Sequence, residues 1–368
     1  MDKPDFAKYS EAQLRQILTR IDKERFPERV EEIHARLAQF EAERLSRPAA
    51  DEPTRSDGPA GIAGFWQRAG AYIVDSVLLA IVGFGLGLAF GDRFEALGAW
   101  GRAIGFVIAL AYFGTMESRL FQGRTFGKFA LGIKVVATDG APLGLGRALL
   151  RASVFHVPYF LNNAVLGNGD AGSIVAVVQA LLVFGLGGAI AYLCVFNRRT
   201  RQSVHDLLVG AVVVRAGTRD VPTLLPIWRG HVAIMATLLV AALGGGAYLY
   251  STFDNTVMQP LLAVQRQVSR MPGVRTAGVF TGVAVATGAN RTSYMTINVL
   301  TRTGDVDERA LADGAAAIAL DTYPPANEVN TLSVVVTHGY DIGIASRWRS
   351  NSFNFPPAEW RARTRRHD

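Results

Sequence analysis

Arg68-Ala-Gly-Ala-Tyr-Ile-Val-Asp75 opens the first long apolar run of the chain, and the architecture follows from it. An arginine and an aspartate seven residues apart fall on one face of a helix, about 10 Å apart along its axis. Apart from Asp75 and the hydroxyls of Tyr72 and Ser76, residues 69–90 carry only apolar side chains and glycine. Asp75 is therefore expected well inside a membrane span. A carboxylate there costs roughly 2.5–3.5 kcal/mol on insertion scales, so it needs a partner, a wet cavity or a proton.

Further apolar runs occupy 103–118, 174–196 and 232–250, with a shorter one at 152–166, in a 368-residue chain that is 49% hydrophobic. About 20 residues at 1.5 Å each match the roughly 30 Å hydrocarbon core. The expected fold is mainly α, a helical membrane bundle of about five spans followed by a small ferredoxin-like α+β domain. Loops 119–151 and 197–231 are rich in arginine, whereas 91–102 and 167–172 carry no net positive excess. Basic short loops stay in the cytoplasm, which puts the amino terminus inside and 251–368 outside, provided that 152–166 crosses the bilayer. The expected location is a bacterial cytoplasmic (inner) membrane, with the first span acting as an uncleaved targeting segment. The formal charge of +7 is concentrated in the short loops, where it sets topology, so nucleic acid is not an expected partner. The lone cysteine, Cys194, rules out an internal disulfide and a cysteine metal site.

Soluble segments flank the bundle. Residues 1–45 read as a helical hairpin, with Leu14, Ile17 and Leu18 on one helix and Val30, Ile33, Leu37 and Phe40 on the next. Two helices bury little surface, which points to self-association or docking on a partner. Residues 46–60 are a Pro/Asp/Ser linker, and 217–250 hold a connector and the last span. The outer domain, 251–345, shows an αββαβ pattern with a turn at Gly288-Ala289-Asn290, and 346–368 form an aromatic and basic tail. Protein partners are expected through 1–45 and 251–368.

Three ordered segments carry a resemblance. They are GFWQRAGAYIVDSV (64–77), GRTFGKFALGIKVVATDGAPLGLGRALLR (123–151) and VHDLLVGAVVV (204–214). Together they resemble the RDD family of membrane proteins over about 62–216, which implies an RDD-type transmembrane domain at 61–216. The family takes its name from an arginine and two aspartates, and Arg68, Asp75 and Asp206 match these. The resemblance implies a role in transport, with sodium/proton exchange proposed for some members. The middle segment is not a phosphate-binding loop: Gly123 and Gly127-Lys128 are one residue too close, and Phe129 stands where Ser or Thr would hold magnesium.

The candidate site is a charge cluster of Arg68, Asp75, Asp206, Glu117, Arg151 and His205. Asp75 either pairs with Arg68, or with arginines near Arg151 and Arg198 to Arg201, or titrates and carries a proton or a sodium ion, or serves a partner. Glu117 is the candidate second carboxylate near its depth. Asp206 either sits beside arginines at a membrane surface, caps the turn at Leu207-Leu208, or closes a pair with Arg68, and His205 contacts headgroups or backbone. No GxSxG or HExxH motif occurs, so no catalytic residue, metal or cofactor is expected and the chain reads as a non-enzyme. Two functions remain open: proton- or sodium-linked transport through Asp75 with Arg68, and a non-transporting scaffold or assembly factor.

Overall fold

Pro27 begins a helix, α1 (Pro27–Ser46), at a position where its missing N–H costs nothing. Its inward stripe places Ile33, Leu37 and Phe40 against Leu14, Ile17 and Leu18. The computed structural model describes residues 14, 17, 18, 21, 26–46, 61–162, 164, 174–218, 221, 223–252, 255–285 and 291–364. The expected linker after Ser46 and the turn at 288–290 lie outside them. Residues 1–56 and 57–368 are separate compact units.

The second unit starts with α2 (Phe65–Leu97), 33 residues kinked at Phe90, with a contour of about 50 Å, longer than a bilayer core by roughly 20 Å. Its buried residues Ala71, Asp75, Leu79, Gly83 and Gly87 recur every fourth position in one stripe. Ile73, Val77, Ile81, Phe84 and Leu88 point outward and are exposed. A helix that is apolar on both faces suits a lipid environment. The expected loop at 91–102 is instead mostly helix: after a kink at Phe90 (φ −132°, ψ 19°) the chain resumes helical geometry as far as Leu97. A short 3₁₀ turn at Gly98–Trp100 joins it to α3 (Gly101–Met116).

A one-turn-plus helix, α4 (Phe126–Ala130), leads into β1 (Ile133–Ala137), whose β-branched residues read as a strand. Next comes α5 (Leu145–Leu161), which unites the basic segment's end and the short apolar run in one helix; Pro158, near its end, does not break it. Then follow α6 (Ile174–Phe196), with a π-helical stretch at Leu181–Leu186, and α7 (Val204–Val209). Gly210, at φ +59°, ends α7 and turns the chain into β2 (Ala211–Arg215), which pairs antiparallel with β1. Helix α8 (Arg229–Thr252) closes the bundle.

Among the described residues, two stretches are long and apolar enough to cross a membrane: Phe65–Met116, which contains both α2 and α3, and Ile174–Phe196. Helix α5 lies antiparallel to α3 along its length. Arg151 near its start pairs with Glu117 just past α3, and the carbonyls of Tyr159 and Phe160 near its end accept from Arg102 at the start of α3.

The last part contains α9 (Asn255–Ser269), β3 (Val274–Val285), β4 (Arg291–Thr301), α10 (Glu308–Thr322), β5 (Thr331–Asp341), β6 (Ser346–Phe355) and α11 (Pro357–Thr364). The strand order is β3-β4-β5-β6, with β4 and β5 parallel and the outer pairs antiparallel. This corrects the ferredoxin-like expectation. That fold rests on a split βαβ unit, whereas β4 and β5, joined through α10, are direct neighbours here. The expected tail is also structured as far as Thr364. Ser346–Phe355 reads as solvated because its Arg, Ser and Asn suit an exposed edge strand. Trp360 is fully buried and donates its Nε1–H to the carbonyl of Leu332 at 2.8 Å.

The turn between β5 and β6 enters the bundle. Ile342 is fully buried and clusters with Phe94 and Tyr340. A Cβ at Gly105 would collide with the Ile342 carbonyl, and one at Gly83 would sit 2.9 Å from Ile344 and Ala345 side-chain atoms. The Gly83/Gly87 pair therefore admits this turn and Tyr340, not a neighbouring helix. Buried Arg102 pairs with Asp341, whose other oxygen accepts from the Gly343 N–H at 2.6 Å. Gly105→Leu is expected to expel the turn and cost on the order of 1–3 kcal/mol. Hydrogen exchange should accelerate over 339–345 and stay slow in β4; unchanged exchange at the turn would refute this packing.

Candidate functional site

Two polar clusters occupy the end of the bundle where α2 begins and α3 ends. The deeper one surrounds Asp75, which is fully buried. Its Oδ1 accepts from the Tyr112 hydroxyl at 2.6 Å and the Gly127 N–H at 2.7 Å, and its Oδ2 from the Thr125 hydroxyl at 2.5 Å. The Tyr112 oxygen itself accepts from the Phe126 N–H, and the Thr125 oxygen from the Lys128 N–H. Both hydroxyl protons are thus directed at Asp75. The local sequence explains the geometry: Thr125 is the N-cap of α4, and one of the first turn's free N–H groups, that of Gly127, meets the carboxylate. Gly127 allows the approach, because a Cβ there would collide with the Ala71 carbonyl and lie 3.0 Å from Asp75 Cγ. The helix start that superficially suggested a phosphate loop holds the chain's own carboxylate.

No arginine joins Asp75 among its described contacts, which corrects the expected Arg68–Asp75 pair. Helical neighbours meet at a spacing of three or four residues, about 5–6 Å, and two full turns lie beyond that reach. Arg68 turns instead to Asp206, with Nη2 2.8 Å from Oδ2, and also donates to the Arg201 carbonyl.

The second cluster is an ion chain. Arg151 donates from Nε and Nη2 to Asp206 Oδ1 at 2.9 and 2.7 Å, and from Nη1 to Glu117 Oε2 at 2.5 Å. Lys128 Nζ lies 2.7 Å from the other Glu117 oxygen. Asp206 also accepts from the Ser203 N–H at 3.1 Å, which fixes the start of α7. Arg147 caps the far end of α7, its Nε donating to the Val209 carbonyl at 3.0 Å. Glu117 thus shares no side-chain partner with Asp75.

Burial opposes the charge on Asp206, and Arg151 and Arg68 reverse this, holding it well below the usual carboxylate range. For His205, burial drives the ring down to about 3 against the pull of Asp206, 3.5 Å away, so it is neutral at ordinary pH.

Between the ion chain and the aromatic residues lies a cavity of about 150 Å³, lined by Arg68, Tyr72, Phe113, Glu117, Phe155 and His156, among others. Asp75 is not among its lining residues. Of the expected site residues, Arg68, Asp206, Arg151, Glu117 and His205 come together, and Asp75 stands apart. Sequence reasoning missed Tyr112, Thr125, Gly127, Lys128 and His156. A threonine directly before Phe-Gly-Lys is an N-cap signal that could have pointed to Thr125. No group of three or more metal-ligating side chains occurs among the described residues.

Residues 62–210 match the RDD family, which is membrane-associated. Searches among curated proteins and among solved structures gave no match.

Arg151→Met leaves two buried carboxylates short of partners and is expected to destabilise the protein by about 3–5 kcal/mol. The loss is read as a fall in thermal midpoint in detergent; an unchanged midpoint would show that the ion chain carries no stability. The depressed His205 ring gives the pH sign. Its folded pKa lies below the ordinary 6.5, so the unfolded chain binds the extra proton and stability declines from pH 6.5 toward 3. By pH 5 the expected loss is about 2 kcal/mol. His205→Phe should flatten that decline, as read from thermal midpoints across the same range.

Proposed function

From an RDD-family domain whose buried carboxylates are all met by internal donors, we propose a non-transporting membrane platform that holds the sheet domain and presents the soluble segments to protein partners. One observation carries this reading: Asp75 is fully buried and accepts three hydrogen bonds from neutral groups of its own chain. A carrier carboxylate has to give up its present partners to take a proton or a sodium ion, and a dehydrated metal cation needs several oxygen ligands as well. Here exchange would uncap α4 and separate it from α2. Arg102 and the inserted β5–β6 turn support the platform's other role, since they fasten the sheet domain to the bundle.

We further infer five spans, α2, α3, α5, α6 and α8, in a bacterial inner membrane, with the amino terminus cytoplasmic. Loop charge supports this orientation, as does the antiparallel run of α5 beside α3, because 152–166 has to cross for the count to work. The sheet domain meets α2 and α3 at their junction, away from the ion chain, which agrees with an extracytoplasmic position. The second reading, proton- or sodium-linked transport, draws on the cavity beside Glu117.

Liposomes loaded with a pH dye and given sodium or potassium gradients separate the two. The platform reading expects wild type and Asp75→Asn to leak alike, while Asp75→Asn melts earlier by about 1–3 kcal/mol of lost stability. Ion-coupled proton flux in wild type that disappears in Asp75→Asn would establish transport instead.

A further inference from the structure

Two imidazoles in the cavity are only half used. His156 is 3% exposed and His205 2% exposed, and neither His156 Nε2 nor His205 Nδ1 makes a hydrogen bond within the protein. Their other nitrogens define the tautomers. His156 Nδ1 lies 2.8 Å from the Ala152 carbonyl, which can only accept, so Nδ1 carries the proton and Nε2 offers a lone pair. His205 Nε2 faces the Asp206 carboxylate, which leaves Nδ1 as an acceptor by the same logic. Burying such acceptors without donors is costly, on the order of 1–3 kcal/mol each.

The remaining walls narrow the class of molecule that would meet them. Tyr72, Phe113 and Phe155 surround the imidazoles, with Phe155 ring centroids 5.1 Å from His156 and 4.9 Å from His205, both edge to face. Aromatic walls favour a flat apolar body. Arg68, Lys128, Arg151 and Arg201 line the cavity against the single carboxylate of Glu117, which disfavours a cation. An anion would have to compete with the carboxylates that already hold Arg68, Lys128 and Arg151. A neutral molecule avoids both costs.

We propose that this cavity is a binding site for a small neutral aromatic compound bearing hydroxyl donors, a phenol-like group that donates to His156 Nε2 or His205 Nδ1 and packs between Tyr72, Phe113 and Phe155. The site goes beyond the platform reading and does not depend on it. Its volume of about 150 Å³ suits a single ring.

The test uses the full chain, labelled with ¹⁵N-histidine and purified in detergent, with ring resonances assigned through His156→Asn and His205→Asn. Phenol, toluene and benzoate are titrated in turn. Phenol is expected to saturate and to shift the unprotonated ring nitrogen of at least one of these histidines, with toluene leaving both nitrogens unmoved and benzoate binding more weakly. The matching asparagine variant should weaken phenol binding on the order of fivefold to tenfold, the loss of one hydrogen bond. Three outcomes would overturn the proposal: no shift with any probe, as for a cavity holding water alone; phenol binding no tighter than toluene; or benzoate binding in preference. The wild-type titration decides even if a variant fails to fold.

Discussion

A charge taken out of water has to be met inside the protein, and Arg151 meets two carboxylates at once. With Glu117 on one side and Asp206 on the other, its guanidinium joins the end of α3, the start of α7 and its own helix α5. Lys128 and Arg68 extend the chain to α4 and α2. Five elements widely separated in sequence therefore depend on one set of ion pairs. Such a set adds little net stability over an apolar core of the same shape, but removing one member leaves a buried charge unmatched. Its main effect is on geometry, because directional donors tolerate few alternative arrangements of these helices.

Helix α5 carries that geometry to the opposite end. Arg151 is held near its start, and the carbonyls of Tyr159 and Phe160 hold Arg102 near its finish. Arg102 in turn grips Asp341 in the turn inserted from the sheet domain, and the Tyr159 hydroxyl donates to the Gly343 carbonyl at 2.8 Å. The ion chain and the docked turn are thus joined through one helix, their contacts on it about 13 Å apart along its axis. A shift of α5 along its axis would loosen both ends together. This physical continuity lets the membrane portion and the sheet domain form one unit despite their different chemistry.

Much of this was legible in the residues, for identifiable reasons. Run length exposes α2 and α6, because little else places 20 apolar residues in succession. The β-branched residues of Ile133–Ala137 and Ala211–Arg215 suit the paired strands they form. The Arg68–Asp206 pairing was one of three options for Asp206, since Arg68 lies at the start of a span and Asp206 beside a basic loop. Other features depend on tertiary facts that no local pattern carries. Tyr112 and Thr125 lie 37 and 50 residues from Asp75, and as residue types they look like ordinary interfacial or capping groups. Asp92, Arg93 and Glu95 look like loop residues, yet they are compatible with a helix and extend α2 beyond an apolar core. The polar strand β6 becomes recognisable only beside β5.

The difference between the two clusters follows from depth. Arg68 is the fourth residue of α2, Glu117 lies just past α3, and Asp206 is on a short helix outside the apolar runs; these positions give Arg and Lys heads a short path to polar surroundings. Asp75 sits ten residues into α2, about 15 Å along it. A cation brought there as partner would add its own desolvation cost to that of the carboxylate. Two hydroxyls and a backbone N–H supply hydrogen bonds without a second charge, and the N–H belongs to a helix start that needs an acceptor anyway. Charge meets charge among the buried groups at the helix ends, and the carboxylate ten residues into α2 meets dipoles. On this argument the spacing of Arg68 and Asp75 was never that of a pair: it separates two anchoring points at different depths, each answered by the partner its surroundings make cheapest.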